Sequence, residues 1–377
     1  MPKKLQVHLV TDRFQLGGGL EHIFQIVNGM GEIDFCVFGK PGPGVDKFKN
    51  LPNVRIHDNG FGIKDLTANE PGIIHFHHLK PLTWYLSNPF THQRKIIPII
   101  YTVHGLHIHK YEFMDGVLAP VKYTLRFELE KRLLKRIQKV IAVSREDKEF
   151  METRYGVRDV EYITNGIDFS RIISSEEESK TSIRTRLKLP EEKFIFVTPA
   201  RLNFQKGHDI LLHGIGEIIK IIKKEKHNCL FLFLGAGENE EELKALNNRL
   251  GLGEYVQFLG EKQGIYDWIR AGDICLLPSR WEGLPIVLLE AGLLKVPVMA
   301  SDTYGNREII RNENGILFKN PDYRALGEAI LNVLRDRKNN VPKYKWNIYT
   351  ENLFNEIKNH YNPDYMINSL RKIYMEF

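Results

Sequence analysis

Two glutamates, Glu282 and Glu290, flank an otherwise apolar stretch in the segment RWEGLPIVLLEAG, residues 280–292. The apolar residues predict a helix whose first turn contains Pro285, where the missing N–H costs nothing. Glu282 then lies in the turn before the helix, and Glu290 lies about two turns along it. Carboxylates accept hydrogen bonds from paired hydroxyl groups, whereas N–H groups of such a turn face phosphate. The segment therefore predicts a site for sugar hydroxyls beside phosphate.

Two cations precede this segment in the chain. Arg201 ends the apolar run FIFVTPARL, and the loop NFQKG places Lys206 before HDILLHGIGEIIKIIKK, which has a helical pattern. An arginine fork, a lysine point charge and a helix N-terminus together match the charge of a diphosphate. Taken alone, the stretch would be read as two solvated cations on a loop.

The first half of the chain has two weaker signals. His104 follows the apolar run IIPIIYTV and can donate a hydrogen bond to, or hold, a substrate hydroxyl. Gly17, Gly18 and Gly19 precede a predicted helix and allow the main chain to approach a ligand closely. A flexible turn is the alternative interpretation of the glycines.

A metal site is disfavoured, although histidines are frequent near His104. His75 and His77 alternate and therefore share one face of a predicted strand. Further histidines lie nearby, at His78, His107 and His109. No acidic residue or cysteine accompanies them at metal-ligand spacing. We therefore expect no metal cofactor.

Short apolar runs that alternate with helical patterns predict strand–helix–strand units, an α/β fold with parallel sheets. In the first half, the predicted strands are 5–11, 33–39, 72–78, 96–104, 139–144 and 160–166. In the second half, they are 193–202, 229–237, 256–260, 273–279, 296–301 and 315–318. The candidate residues follow strand ends, where ligands bind in an open parallel sheet.

Two doubly wound domains follow from this pattern. We expect an N-terminal domain over residues 1–172 and a C-terminal domain over 173–345. The polar stretch 174–193 predicts the connection and a surface helix. Residues 346–377 are helical in pattern and rich in Tyr and Phe, so we expect them to pack back across the domain junction.

Composition excludes several other classes of protein. With 377 residues, 42% of them hydrophobic, the chain can form two cores and is not disordered. The net charge of +6 suits phosphorylated ligands, and without a long basic block we expect no nucleic acid partner. Cys36, Cys229 and Cys275 lie in strand-like runs and are expected to be buried thiols. With no signal peptide or spanning segment recognised, a cytoplasmic location is expected.

A basic segment, residues 121–139, predicts a helix that could lie on an anionic membrane. Leu125, Leu129 and Leu133 share one face of that helix. The basic residues lie elsewhere on it and are Lys122, Arg126, Arg132, Lys135, Arg136 and Lys139. An ordinary surface helix with solvated charges is the alternative.

The glutamate pair, separated by seven residues within PSRWEGLPIVLLEA, resembles the signature of the retaining family-4 glycosyltransferases. These enzymes have the GT-B fold, two Rossmann-like domains that face a deep cleft. The resemblance extends over nearly the whole chain. Its motifs occur in the same order: GGGLEH, HFHH, TVHG, IAVS, NGID, PARLNFQKG, LGAG, VQFLG, TYGNREII and NGILF.

In the C-terminal domain, the resemblance implies roles in binding the nucleotide-sugar donor. Arg201 and Lys206 would hold the donor diphosphate and stabilise it as the leaving group. Glu282 and the backbone of Gly283 and Leu284 would contact the donor sugar.

The resemblance also implies donor contacts elsewhere. Glu290 would bind the ribose hydroxyls, and Leu259–Lys262 would bracket the base. His104 would hydrogen-bond the transferred sugar, and Gly18 and Gly19 would let the first domain close on the phosphates.

One motif departs from the family pattern. In TYGNREII, this chain has Tyr304-Gly305 where many relatives have two glycines, which weakens the assignment of Glu308 to the donor site.

The implied reaction is the retaining transfer of a hexose-type sugar from a UDP- or GDP-linked donor to an acceptor hydroxyl. The acceptor would be a saccharide or a lipid-linked saccharide in polysaccharide, lipopolysaccharide or glycolipid assembly. Because no Asp-x-Asp motif ends a strand, we expect Arg201 and Lys206 to replace Mg²⁺. No carboxylate nucleophile stands out near His104, which favours attack by the acceptor on the face that the leaving group departs from.

Three alternatives differ in class. An epimerase or hydrolase of sugar nucleotides could have the same fold, and a non-catalytic sensor would bind the nucleotide without turnover. A dinucleotide-dependent dehydrogenase is disfavoured, because Gly17, Gly18 and Gly19 lack the spacing of its glycine fingerprint.

Overall fold

The computed structural model describes residues 4–67, 71–88, 97–114, 116, 118–173, 178–338 and 343–377. They form two compact units, the first made of Met1–Gly166 with Tyr361–Phe377 and the second of Ile167–His360. The chain thus leaves the first unit after Gly166 rather than after residue 172. Residues 346–377, expected as one segment, are divided between the units. Residues 174–177 of the expected connection lie outside the described part.

The strands of the first unit are β1 (Gln6–Arg13), β2 (Asp34–Lys40), β3 (Val54–His57), β4 (Ile73–Phe76), β5 (Ile99–Val103), β6 (Lys139–Ala142) and β7 (Val160–Tyr162). Those of the second unit are β8 (Phe194–Pro199), β9 (Cys229–Leu234), β10 (Val256–Gly260), β11 (Ile274–Leu277), β12 (Val298–Asp302) and β13 (Ile316–Lys319). Every predicted strand overlaps an observed one. β3 was not predicted, because it is a short, half-exposed strand at a sheet edge, with Arg55 and His57 on its exposed side.

The helices from the start of the chain to the connection are α1 (Gly18–Gly29), α2 (Ile63–Leu66), α3 (Leu79–Leu86), α4 (Ala119–Leu134), α5 (Arg145–Thr153), α6 (Phe169–Ile173) and α7 (Lys180–Arg186). The remaining helices are α8 (His208–Lys224), α9 (Glu240–Arg249), α10 (Ile265–Ala271), α11 (Ile286–Leu293), α12 (Tyr304–Ile309), α13 (Tyr323–Asp336), α14 (Trp346–His360) and α15 (Pro363–Met375). None of the helices in the described ranges is long and apolar enough to cross a membrane.

Both sheets are parallel and reverse their strand order at one point. The first sheet has the order β3-β2-β1-β4-β5-β6-β7, and the second has the order β10-β9-β8-β11-β12-β13. The reversal lies between β1 and β4 in the first unit and between β8 and β11 in the second. We call these positions the two switch points, because loops diverge there and leave a crevice at the carboxyl ends of the strands.

Each sheet is buried on both faces, which explains the nearly continuous apolar strands. The cores combine buried strand residues such as Leu9, Phe35 and Phe231 with apolar helix faces. The predicted burial of Cys36, Cys229 and Cys275 is confirmed, and all three are free thiols. Burial raises the pKa of Cys229 to about 12, so this thiol is unreactive.

The two C-terminal helices pack in different units. In the second unit, α14 is so close to α11 that a Cβ at Gly292 would lie 2.3 Å from Ile357. In the first unit, α15 buries Met366 and Leu370 in the core beside α1. The helical pattern predicted for this region is therefore observed.

Helix α4 is shorter than the predicted basic segment. It ends at Leu134, and Lys139 lies on β6, where its ammonium pairs with Asp159 and Glu161. The three leucines that were expected to share one face differ in burial. Leu133 is buried in the core, whereas Leu125 and Leu129 are exposed. The hydrophobic positions that remain outside are therefore at the start and middle of α4.

Candidate functional site

The loop after β8 is held in a fixed conformation. Asn203 accepts a hydrogen bond from the Lys206 backbone N–H at 3.2 Å. Gly207 has φ 65°, and a Cβ there would lie 2.0 Å from the Pro278 carbonyl oxygen. Because only glycine allows both this conformation and this approach, the loop lies against the end of β11, and α8 begins directly after it.

The loop after β11 places Glu282 against this first loop. The Lys206 ammonium donates a hydrogen bond to Glu282 Oε1 at 2.6 Å, and the Ser279 hydroxyl donates to the same oxygen at 2.6 Å. Only 6% of the Glu282 side chain is exposed. A buried carboxylate that accepts two such hydrogen bonds is compensated for the loss of water. The structure therefore brings together the predicted Lys206 and Glu282 at the switch point.

Arg280 joins the two loops from beneath. Its guanidinium forms two hydrogen bonds with Asp209, at 2.9 and 2.6 Å, and a third with the Phe204 carbonyl oxygen at 2.7 Å. It also stacks on the Phe204 ring at 4.0 Å. Burial alone would raise the pKa of Asp209, but the hydrogen bonds and charge of Arg280 outweigh it, so the pKa is lowered. This ion pair fixes the loops that hold Lys206 and Glu282.

A close backbone contact fixes Gly283. A Cβ at Gly305, on α12, would lie 2.1 Å from the Gly283 carbonyl oxygen, and the Gly305 N–H donates to the Glu282 carbonyl oxygen at 3.3 Å. The motif TYGNREII has one glycine where many relatives have two. That glycine, Gly305, is the one that this contact requires.

Of the other predicted residues of the second unit, Arg201, Leu284 and Glu290 lie in the chain that follows β8 or β11, the strands of the switch point, whereas Leu259 lies on the edge strand β10. Arg201 is exposed two residues after β8, and Leu284 is buried in the turn before α11. Glu290 is half-buried on α11. Its negative charge adds to the burial that raises the pKa of the Cys275 thiol on β11. Leu259, near the end of β10, packs against a small apolar cluster. Pro285 is the N-cap residue of α11 and not part of its first turn, so the helix begins one residue later than predicted.

The first unit has a cluster of histidines at its own switch point. His104 directly follows β5, and its Nε2 lies 3.2 Å from Nδ1 of His77, which directly follows β4. The ring of His22, on α1, lies 4.8 Å from that of His104 and 5.4 Å from that of His77. We refer to His22, His77 and His104 as the histidine cluster.

Burial keeps the histidine cluster neutral. Desolvation lowers the pKa of His22 to about 4, against a smaller opposing effect of Asn165, and lowers the pKa of His77 and His104 well below 6.5. His104 is therefore an uncharged imidazole at neutral pH. Such a ring can donate one hydrogen bond and accept another.

The glycines before α1 have distinct positions. Gly17 has φ 148° and precedes the helix, whereas Gly18 and Gly19 are its first residues. A Cβ at Gly19 would touch the ring of His78 at 3.7 Å, so the glycine and this histidine are neighbours. The His78 ring is held by the Thr11 hydroxyl, with 3.0 Å between oxygen and Nδ1.

Reasoning from the sequence missed two parts of these sites. The Arg280–Asp209 pair joins residues far apart in the chain. Its only sign in the sequence was a charged residue, Arg280, beside a largely apolar stretch. His22 was missed because it lies in a helical pattern far from the other histidines. His75 was considered as a metal ligand, but both of its ring nitrogens are hydrogen-bonded. Nδ1 lies 2.7 Å from the Tyr374 hydroxyl, and Nε2 lies 2.7 Å from the Thr102 hydroxyl.

Comparison with protein families gives two matches. Residues 18–171 match the family described as Glycosyltransferase Family 4, and residues 179–346 match the one described as Glycosyl transferases group 1. The matches follow each other without overlap and include the residues at both switch points.

Two relatives illustrate the similarity in sequence. The chain is 30% identical over 236 residues to EpsD of Bacillus subtilis (strain 168), a match over 62% of this chain and 59% of EpsD. It is 25% identical over 317 residues to the Escherichia coli UDP-Gal:alpha-D-GlcNAc-diphosphoundecaprenol alpha-1,3-galactosyltransferase, over 83% of this chain and 77% of that protein. The chain thus matches about three fifths of the length of EpsD.

A solved structure shares the fold. The structure of HepE from Anabaena in complex with UDP and glucose superposes with a TM-score of 0.78 at 19% identity, over 99% of this chain and 100% of HepE. Together with the two parallel sheets, this likeness confirms the predicted GT-B fold class.

Proposed function

Since the chain belongs to the group 1 glycosyltransferases, we propose that it transfers a hexose-type sugar from a nucleotide-diphosphate sugar to an acceptor hydroxyl. The observation that carries this proposal is the contact of Lys206 with the buried Glu282 where β8 and β11 diverge. A cation and a carboxylate at this position suit the two halves of such a donor, its diphosphate and its sugar hydroxyls.

Donor binding would exchange the partners of Lys206. In the structure, the Lys206 ammonium is held by Glu282. A diphosphate carries more negative charge than one carboxylate and would draw the ammonium away, with Arg201 beside the same strand end as the second cation. Glu282 would then be available to accept hydrogen bonds from the donor sugar, while Glu290 would bind the ribose and Leu259 would border the base.

The chemical step needs stabilisation of the leaving group. The bond between the anomeric carbon and the diphosphate oxygen breaks, and the acceptor oxygen bonds to that carbon on the same face, so configuration is retained. The acceptor proton passes to the departing diphosphate oxygen. Lys206, Arg201 and the backbone of Gly283 and Leu284 would stabilise the developing negative charge without a metal ion at the diphosphate. His104 of the first unit keeps the role toward the transferred sugar that the resemblance implies.

The relatives support a donor class and an acceptor class. The name of the Escherichia coli relative specifies UDP-Gal and a diphosphoundecaprenol acceptor, and HepE was solved with UDP and glucose. We therefore place UDP-linked sugars first and GDP-linked sugars second as donors. A saccharide or lipid-linked saccharide of a polysaccharide, lipopolysaccharide or glycolipid pathway is the proposed acceptor.

Helix α4 supports contact with an anionic membrane, where a lipid-linked acceptor would be found. Leu118, Val121, Leu125 and Leu129 are 64%, 52%, 69% and 44% exposed and recur at helical spacing. Exposed Lys122 and Arg132 are on the same helix. An apolar stripe with flanking cations is typical of helices that lie in the membrane interface.

The proposal is tested by thermal unfolding with UDP, GDP, ADP and their common sugar conjugates, each with Mg²⁺ and with EDTA, on wild type and Glu290→Ala. The shift caused by nucleotide is compared with a nucleotide-free sample in the same buffer, so that any other effect of EDTA cancels. We expect one nucleotide to raise Tm in EDTA and the shift to be smaller in Glu290→Ala. No shift with any nucleotide, or a shift only with Mg²⁺, would contradict the proposal.

Turnover then separates the alternatives. A transferase releases the nucleoside diphosphate faster when acceptor is added. A hydrolase or epimerase would consume the donor without acceptor, and a sensor would bind it without consuming it.

A further inference from the structure

We propose that the histidine cluster, His22, His77 and His104, binds one divalent transition-metal ion, with Zn²⁺ as the best fit. This site lies at the switch point of the first unit, whereas the diphosphate site is proposed for the second. Binding of the ion does not depend on the proposed function.

The geometry of the cluster suits one ion. Each histidine offers a ring nitrogen, and these three atoms lie within 4.8 Å of one another. Zn–N bonds of about 2.0–2.1 Å in a tetrahedral arrangement place ligand nitrogens roughly 3.3 Å apart. The 3.2 Å between His77 Nδ1 and His104 Nε2 already matches that value. The ring of His22 is the third neighbour, with its centroid 4.8 Å from that of His104.

The three ligands come from elements that are fixed relative to one another. His77 and His104 directly follow the neighbouring strands β4 and β5, and His22 lies on α1, which follows β1 beside β4. His75 packs on His77, with 4.2 Å between ring centroids, and is itself held by Tyr374 and Thr102. The ring of His77 therefore packs against a buried neighbour whose own ring nitrogens are held.

The cluster also has hydrogen-bonding capacity that the described chain does not use. His77 Nε2 and at least one ring nitrogen of His22 are buried without a hydrogen-bond partner in the described ranges, and Asn165 is a side-chain partner of His22. Buried polar atoms in native proteins are nearly always satisfied, so atoms of this kind require an explanation. A metal ion bound through one nitrogen of His22 would satisfy that atom, while His77 would reach the same ion through Nδ1.

The chemistry of the ligands selects the kind of ion. Neutral imidazoles bind Zn²⁺ and its transition-metal neighbours, whereas Ca²⁺ and Mg²⁺ require oxygen ligands. Three histidines leave a fourth tetrahedral position for water or another ligand.

The ion would compete with one step of the proposed function. His104 cannot both coordinate Zn²⁺ through its Nε2 and donate from that atom to a sugar. Zn²⁺ should therefore inhibit sugar transfer, an expectation that rests on the proposed function, whereas the binding measurement below does not.

The test uses the full chain with any affinity tag removed and with metal stripped by a chelator that is then dialysed away. Co²⁺ is added while visible absorption is recorded, and Zn²⁺ is titrated by calorimetry. We expect one ion per chain, a tetrahedral Co²⁺ spectrum displaced by Zn²⁺, and a Zn²⁺-dependent rise in Tm. Absence of a tetrahedral spectrum in the wild-type protein would overturn the proposal.

Variants locate the site. His22→Gln and His77→Gln should each weaken binding by on the order of 100-fold, because one ligand of three is lost. His208→Gln is the matched control, since His208 is a buried histidine of the second unit whose ring nitrogens also lack partners among the described residues. Circular dichroism of the metal-free variants checks their folding. If two folded cluster variants bind as the wild type does, the site lies elsewhere and the proposal is wrong.

Discussion

The strand order reverses in the same way at both switch points, but the side chains beside them are uncharged in one unit and charged in the other. In the first unit, the strand order reverses beside three histidines that desolvation keeps uncharged, of which His22 and His77 are buried and His104 is half-buried. In the second, it reverses beside Lys206, Glu282 and the Arg280–Asp209 pair, whose charges are matched by direct contacts. The sheet determines where a ligand can bind, and the residues that follow each strand determine which ligand binds.

The difference also concerns what each site does without a ligand. Lys206 and Glu282 of the second unit neutralise each other, so a ligand must replace an existing partner of Lys206. The histidine cluster has atoms without such partners in the described chain, so a ligand can add contacts. The predictions below test this contrast, beginning with the largest effect.

Lys206→Ala removes the cation at the second switch point. We expect kcat/KM for sugar transfer to fall on the order of 10² to 10³-fold, because a donor to the developing charge is lost. Glu282 would also remain buried with the Ser279 hydroxyl but without its cation, which we expect to destabilise the fold by about 3 kcal/mol.

The double variant Lys206→Ala/Glu282→Gln separates these two effects. It should recover stability in chemical denaturation without recovering turnover, because no carboxylate is left unpaired. Recovery of turnover would show that Lys206 acts only by supporting the fold. Lys223→Ala, in the exposed last turn of α8, is the control.

Arg280→Ala breaks the ion pair beneath the loops. We expect a loss of about 2 kcal/mol in the free energy of unfolding, measured by denaturation, because the partly exposed Asp209 and the Phe204 carbonyl lose their partner. Since the folded-state pKa of Asp209 is lowered, its stabilising contribution is present above its ordinary value and disappears as pH falls through the folded-state value.

The stability difference between wild type and Arg280→Ala should therefore shrink as pH falls below about 4. A difference that is independent of pH would mean that Arg280 acts through its hydrogen bond to Phe204 and its stacking rather than through Asp209.

Gly305→Ala tests the backbone contact that fixes Gly283. The added Cβ would lie 2.1 Å from the Gly283 carbonyl oxygen, so the turn before α11 must shift, and we expect about 2 kcal/mol of destabilisation with weaker nucleotide binding. The matched control is Gly253→Ala, where a Cβ would have no neighbour within 4 Å. That control should change stability by less than about 0.5 kcal/mol. Equal effects at the two glycines would refute the packing argument.

The double variant Leu125→Ser/Leu129→Ser should barely change stability, by less than about 0.5 kcal/mol, because both leucines are exposed. Cosedimentation with vesicles that contain anionic lipid should nevertheless fall by several-fold. Ile348→Ser, an exposed apolar residue on α14 of the second unit, is the control and should bind vesicles as the wild type does. Equal binding by all three proteins would exclude α4 as the membrane contact.

The sequence was sufficient for much of the fold because the strands are buried and therefore apolar. The run 256–260 coincides with β10, and HDILLHGIGEIIKIIKK coincides with α8. β3 was not predictable in this way, because half of its residues face solvent at a sheet edge. Lys139 was included both in the basic helix 121–139 and in the predicted strand 139–144, and the structure places it on β6, where it pairs with Asp159 and Glu161.

The sites were only partly predictable. Spacing after strands identified Lys206, Glu282 and His104, because the topology brings strand ends together. The approach of His22 to His77 and the pairing of Arg280 with Asp209 depend on helix packing and loop conformation, which no local pattern encodes. These contacts required the structure.

The most direct test of the central claim, that the second switch point holds a nucleotide diphosphate through Lys206 without a metal, is calorimetric titration with UDP and GDP in EDTA. The same titrations are made with the matching nucleosides and on Lys206→Ala. We predict that the wild type binds one of the diphosphates in EDTA, and that Lys206→Ala binds it at least about tenfold more weakly with unchanged affinity for the nucleoside. Binding only after Mg²⁺ is added, or equal diphosphate affinity in wild type and Lys206→Ala, would contradict the account.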